Sequence, residues 1–143
     1  MSGSVRDRMD ILLSLKPVYL RVTAFESIES SESVKMRVNR ARDRQYERYG
    51  QGVLNAEVTY EQLIQYSPVS DPQRTMLQDI CIEAGLSNRV HIKVIRIART
   101  IADLDGEDVI SDQAIMEALK LRNVSVKQNF ETGCESRVTA ELK

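Results

Sequence analysis

The sequence has no tryptophan, a single histidine and two cysteines in 143 residues. His91, Cys81 and Cys134 cannot supply the four ligands of a Cys/His zinc centre in one copy, so no metal site is expected. Nor is there an excess of charge: 20 basic residues stand against 21 acidic ones. Any attraction to nucleic acid or membrane must therefore come from local clustering. Long apolar runs are missing too. The longest near the N-terminus, Ile11-Leu12-Leu13, is too short for a signal peptide or a membrane span, so the expectation is a cytoplasmic protein with no membrane partner.

What is present suits a soluble, charge-rich helical protein. Apolar residues make up 42% and charged ones 29%, enough for a chain of this length to bury roughly two-thirds of its unfolded surface. Residues 10–22, "DILLSLKPVYLRV", are rich in branched and aromatic side chains and broken by Pro17, which suits a short β-strand or extended segment. The Glu/Ser-rich "ESIESSES" that follows suits a flexible connection. After it the apolar spacing is helical almost to the end.

"SVKMRVNRARDRQYERYG" runs from a serine cap to Gly50, with Val34, Val38, Ala41, Gln45 and Tyr49 along one side. Its cations Lys35, Arg37, Arg40, Arg42, Arg44 and Arg48 form either a solvated face or a surface for a strand of nucleic acid. "TYEQLIQY" opens with Thr59 and Gln62 at capping-box spacing. "DPQRTMLQDICIEAG" carries Pro72 just inside its start, an apolar stripe of Leu77, Ile80, Cys81 and Ala84, and Gly85 as its stop. Cys81 falls on that stripe as a small core residue. "DQAIMEALKLR", capped by Ser111, has a stripe of Ile115, Ala118 and Leu119, with Arg122 in the same register. The tail after Arg122 lacks periodicity, and poor order is expected there.

The stretch "NRVHIKVIRIARTIADLDGEDVI", residues 88–110, is both apolar and basic. On a helical wheel Val90, Val94, Ile97, Ile101 and Leu104 span roughly 80°, and Arg89, Lys93, Arg96, Arg99 and Asp103 fall within roughly 120° beside them. Ile92, Ile95, Ala98 and Ala102 lie off the stripe, so this helix is expected in the middle of a bundle. Its cations either pair with neighbouring carboxylates or present charge to a phosphate. Arg89 is best placed for a phosphate, because in the first turn the helix dipole adds to its own charge. His91 points away from the cations and reads as a packed or surface histidine.

"LSNRVHIKVIRIARTIADLDGEDVI" followed by "EALKLR" resembles the C-terminal part of magnesium-chelatase-like AAA+ ATPases, the bacterial competence-associated ComM/YifB type above all. Upstream, "DRMDI", "SSESVKMRVNRARDRQ" and "LNAEV" resemble the segment leaving the ATPase core, its basic helix and the loop after it. The likeness covers residues 5–122, and its most specific run is "ARTIADL", residues 98–104. The resemblance implies a mainly α fold: a small helical bundle of the AAA+ lid type, residues 26–122, preceded by the end of the ATPase core in residues 1–25 and followed by the tail, 123–143.

The glycines at 3, 50, 52, 85, 106 and 133 form no phosphate loop, which such an enzyme needs for cradling nucleotide phosphates. The expectation is thus a lid that hydrolyses nothing alone and holds no cofactor by itself. Its full-length parent would bind ATP and Mg2+, and its partners would be the rest of the core, further copies in a hexameric ring, and DNA. The resemblance gives Arg89 the role of a sensor-2 arginine on the nucleotide phosphate, with Arg96 on the same flank as a further cofactor contact. Arg8, in Asp7-Arg8-Met9-Asp10, becomes an arginine finger or else pairs with its neighbouring carboxylates. Arg37, Arg40, Arg44 and Arg48 are the nucleic-acid candidates. Lys93 stands where the family usually has arginine, Gln113 where histidine is common, and Val5-Arg6 where paired leucines are usual. Two other readings fit less closely: a parent that is the ATPase subunit of a magnesium chelatase, and a chain that is itself a free-standing helical module binding nucleic acid.

Overall fold

The computed structural model describes residue 5 and residues 8–15 and 29–124. Among them are five helices, α1 (Ser31–Tyr49), α2 (Tyr60–Tyr66), α3 (Asp71–Glu83), α4 (Asn88–Asp105) and α5 (Asp112–Leu121), and no strand. The mainly helical bundle expected from the periodicity is what forms. None of these helices is long and apolar enough to cross a membrane.

The helix boundaries follow local chemistry. Thr59 and Gln62 satisfy each other's backbone N–H groups in a capping box at the start of α2, and Ser70 and Gln73 do the same for α3, relieving donors that a helix start leaves unpaired. Ser111 accepts from the Ala114 N–H to cap α5. Gly85 and Gly106 follow α3 and α4 with φ of 61° and 80°, left-handed values that cost a glycine nothing. The α5 terminus closes on Asn123, also left-handed at φ 55°, while the Val124 N–H reaches back to the Leu119 carbonyl.

Two boundaries differ from expectation. The first helix begins three residues earlier, because Ser30 rather than Ser33 is its cap: Ser30 Oγ accepts from the Ser33 N–H, and the Ser33 hydroxyl donates to Glu29 instead. A run with several serines offers several caps, and spacing does not choose between them. Residues 10–15 are not a strand. They run as irregular chain with one backbone-to-backbone hydrogen bond to the bundle, Leu12 N–H to Leu121 O at 2.8 Å, beside side-chain contacts from Lys93 and Arg122. The remainder of the strand expectation, at 16–22, lies outside the described residues, as does the tail from 125 onward.

Helix α4 occupies the centre, packed by α5, α1 and α3. Its buried face is Val90, Val94, Ile95, Ala98, Ile101 and Ala102. This is displaced from the wheel's stripe: Ile97 and Leu104 are only half-buried, while the alanines are fully enclosed. Small residues let neighbouring helices approach closely, so a face with alanine can pack more tightly than one of larger side chains. Leu63, Leu77, Ile80, Ile115, Ala118 and Leu119 complete the core around it, and Cys81 is part of that core as expected.

Candidate functional site

The cationic flank of α4 does not form one continuous ladder; each of its members has a different environment. Arg89, in the first turn, is exposed and has no hydrogen-bond or ion-pair partner among the described residues. One turn on, Lys93 Nζ pairs with Asp10 Oδ1 at 2.9 Å and donates to the Arg8 carbonyl at 2.8 Å. Arg96 donates from Nη2 to the Val58 carbonyl at 2.6 Å, holding the loop that leads into α2. Arg99 is wholly enclosed at 0% exposure.

Arg99 belongs to a buried ionic knot around Asp103. Both residues lie on α4 at helical spacing, with Arg99 Nη2 3.0 Å from Asp103 Oδ1. From α1, Arg48 closes a two-pronged contact on the same carboxylate, Nη2 to Oδ1 at 2.6 Å and Nη1 to Oδ2 at 3.1 Å. Asn55 Nδ2 adds a fourth donor to Oδ2 at 2.9 Å and also reaches Thr100 Oγ1. Each carboxylate oxygen thus receives two donors, which is what a charge removed from water requires. The Arg99 guanidinium continues outward to accepting carbonyls of Glu107 and Asp108, tying down the turn after α4.

The two arginines respond differently to this shared partner. Burial draws Arg48 down, but its hydrogen bond to Asp103 and that carboxylate's charge outweigh burial, and its pKa is raised. Arg99 is lowered, by burial first, with the Arg48 charge adding to the effect against the attraction of Asp103. Both remain cationic, since an arginine starts too high to lose its proton in a protein. The planar forks suit such a site: guanidinium reaches a carboxylate with two parallel N–H groups, and Arg48 also lies 5.4 Å from the Tyr49 ring centre.

On α1 the other cations divide. Arg37 pairs with Glu29 at 3.1 Å and Arg44 with Asp108 at 2.5 Å, while Lys35, Arg40 and Arg42 are exposed with no ion pair among the described residues. Arg37, Arg40 and Arg44 line an open groove of about 560 Å³ between α1 and the end of α4, where Glu29, Asp43, Glu47 and Asp105 also contribute. A second, mainly apolar pocket of about 280 Å³ lies against Ile97, Ile101, Leu104 and Leu121, with Lys93, Arg96 and Asp10 at its rim.

Arg8 is exposed on residues 8–15, with its backbone held by Lys93. His91 is half-buried, its Nε2 has no hydrogen-bond partner among the described residues, and burial lowers its pKa. Burial raises the Cys81 thiol, as for a core cysteine without an activating base.

The match to known proteins falls on this arrangement. Residues 28–122 match the family described as magnesium chelatase, subunit ChlI C-terminal. The chain belongs to that family. The uncharacterized protein YifB of Escherichia coli K12 is 35% identical over 127 residues, and its counterpart in Salmonella typhimurium LT2 is 35% identical over 126, each alignment covering 87% of this chain. The competence protein ComM of Haemophilus influenzae is 30% identical over 124 residues, 85% of the chain. In all three the alignment takes in 24% of the relative's own length, so the chain spans about a quarter of these curated relatives. The family match extends from just before the α1 cap through the last turn of α5, and so includes Arg48, Asn55, Arg99 and Asp103.

The ionic knot was not legible beforehand as a unit. The wheel sets Arg99 and Asp103 on the flank beside the core stripe, and in the fold both are fully buried. The signal that pointed there was the apolar character of α4 on several sides, which leaves no fully solvated flank for a cation at that register.

Proposed function

We propose that this chain is the helical lid of a larger nucleotide-driven ATPase and that Arg89 reads the nucleotide's phosphate. One observation carries the reading: of the four cations on the α4 flank, three are held by intramolecular partners and Arg89 alone, among the described residues, is free at a helix start. An exposed guanidinium there offers five donors, with the helix dipole favouring an anion. Membership of the magnesium-chelatase C-terminal family and the greater length of YifB and ComM support the larger parent.

In this reading ATP and Mg2+ are bound mainly by the remainder of the parent, and the lid tilts as Arg89 gains or loses its phosphate. Arg8 reaches the nucleotide of a neighbouring copy in a hexameric ring, and Arg96 supports the nucleotide-facing flank through its hold on the loop at Val58. The macromolecule remodelled is DNA, with Lys35, Arg37, Arg40, Arg42 and Arg44 on α1 as the strand-facing cations. Arg48, of the same helix, acts from inside the bundle. The family description also names magnesium chelatase, and the alternative substrate is then a porphyrin. The matches to YifB and ComM favour the first reading.

The test is ATP turnover by the longer protein carrying Arg89→Ala. Loss of a transition-state-charge contact should lower turnover by on the order of 10²-fold. Unchanged turnover would remove the phosphate role. DNA binding by the 143-residue chain, titrated against salt, separately tests the α1 face: a slope near zero removes it.

A further inference from the structure

The segment bearing Arg8 is attached to the bundle in an unusual way. Most of its apolar side chains are largely exposed, Met9 41%, Ile11 50% and Leu13 65%, with only Leu12 half-buried and Ile11 at the edge of the apolar pocket, so packing of its own side chains contributes little to holding it. Polar contacts to its backbone hold it instead. Lys93 Nζ donates to the Arg8 carbonyl and pairs with Asp10. From the end of α5, Arg122, itself buried, donates from Nη1 to the carbonyls of Met9 at 2.5 Å and Asp10 at 2.9 Å. The Leu12 N–H closes the attachment on Leu121 O. Residues of α4 and the end of α5 therefore grip four of the five residues 8–12 through main-chain groups.

The position of the grip matters. Lys93 lies one turn beyond Arg89 on the same helix face, a rise of about 6 Å. The backbone of Arg8 is thus tethered one turn from the residue assigned to the phosphate.

We propose that Lys93 and Arg122 are positioning residues that fasten residues 8–12 to α4 and α5, so that Arg8 moves as one body with Arg89. This rests on the reading that both arginines meet phosphates. Arg89 then senses the nucleotide of its own subunit and Arg8 that of the neighbour, and a tilt of the bundle that moves one must move the other. Lys93 is the mechanical link between adjacent sites. Lysine serves here because the contact is a point charge with several donors aimed at one carbonyl and one carboxylate. Arginine is long enough to span the same pair.

The first experiment measures backbone 15N order parameters in the 143-residue chain. Residues 8–12 should be as rigid as α4, with order parameters of about 0.8, and should fall below about 0.6 in Lys93→Met while α4 and α5 keep wild-type values. Lys93→Arg should restore them. Asp10→Ala, a change on the exposed side that disturbs no core residue, should loosen the segment in the same direction and serves if Lys93→Met does not fold. Low order in the wild-type segment, or an unchanged segment in the folded variant, overturns the clamp.

The second experiment measures turnover in the longer protein. Lys93→Met should lower kcat by on the order of 10²-fold, as for a misplaced catalytic group, with KM for ATP little changed and Lys93→Arg near wild type. A shift confined to KM overturns the link. Should Arg8→Ala leave turnover untouched, the phosphate reading of Arg8 fails while the clamp, judged by the order parameters, still stands.

Discussion

The two ends of α4 use the same residue type for opposite purposes. At the N-terminal end Arg89 projects into solvent with no partner among the described residues, and beside it His91 has a half-buried ring with an unpaired nitrogen. At the C-terminal end Arg99 is enclosed, and its carboxylate partner Asp103 receives four donors from three residues. Ten residues separate a cation held in reserve from one built into the framework. The difference shows that a run of basic residues along one helix has no single meaning. What each does depends on which neighbouring element reaches it, and here α1 and the turn after α4 reach only the C-terminal half.

Removing the centre of the framework end should have the largest effect. Asp103→Ala leaves Arg48 and Arg99 buried against each other without their counter-charge, and should cost about 3–5 kcal/mol in urea unfolding followed by circular dichroism. A loss below 1 kcal/mol would mean that water already reaches the knot, and the contrast between the ends would collapse.

A smaller loss is expected just beyond it. Gly106→Ala places a side chain on backbone at φ 80°, where the strain costs about 1–2 kcal/mol although the space around it is open. It should lower the melting temperature without altering the Asp103 contacts, separating the helix stop from the knot.

At the other end, His91 should confer a mild pH dependence. Burial lowers its pKa from the usual 6.5, so the folded state favours the neutral ring and binds fewer protons than the unfolded chain. Its contribution is present above 6.5 and is lost as the pH falls from there through the folded-state pKa. The stability difference between wild type and His91→Gln should therefore be constant above neutrality and shift against wild type on acidification. Parallel curves throughout would show that the ring is solvated.

The smallest effect belongs to Arg89. Because it is exposed and has no partner among the described residues, Arg89→Ala should change stability by no more than about 0.5 kcal/mol, while the proposed phosphate role requires turnover of the longer protein to fall sharply. A large stability loss would show that Arg89 is part of the framework after all.

Much of the fold could be read in advance because helix signals are local. Thr59 with Gln62, Ser111, Gly85 and Gly106 act on backbone groups within a turn of themselves, and they terminate or open helices where spacing placed them. The central place of α4 followed from its having apolar residues on too many sides for a surface helix. The Ser30 cap was missed because neighbouring serines compete on equal terms. The strand expected from residue 10 onward gave way, over its described part, to an irregular segment, since branched residues raise β propensity but a strand also needs a partner edge. Of the candidate site, Arg89 drew attention from its place in the first turn of α4, whereas the contacts of Lys93 with residues 8–10 and the knot at Asp103 had no such local signal.

The sequence by itself determined that this chain is a set of capped, amphipathic helices with α4 at the centre, and its run at residues 98–104 already pointed to the family. Those properties depend on residues close along the chain. Only the tertiary structure decided which cations are framework and which, among the described residues, have no partner. Lys93 meets Asp10 across 83 positions and Arg48 meets Asp103 across 55. A charge becomes structural when a distant partner removes it from water, and no local pattern records which partner arrives.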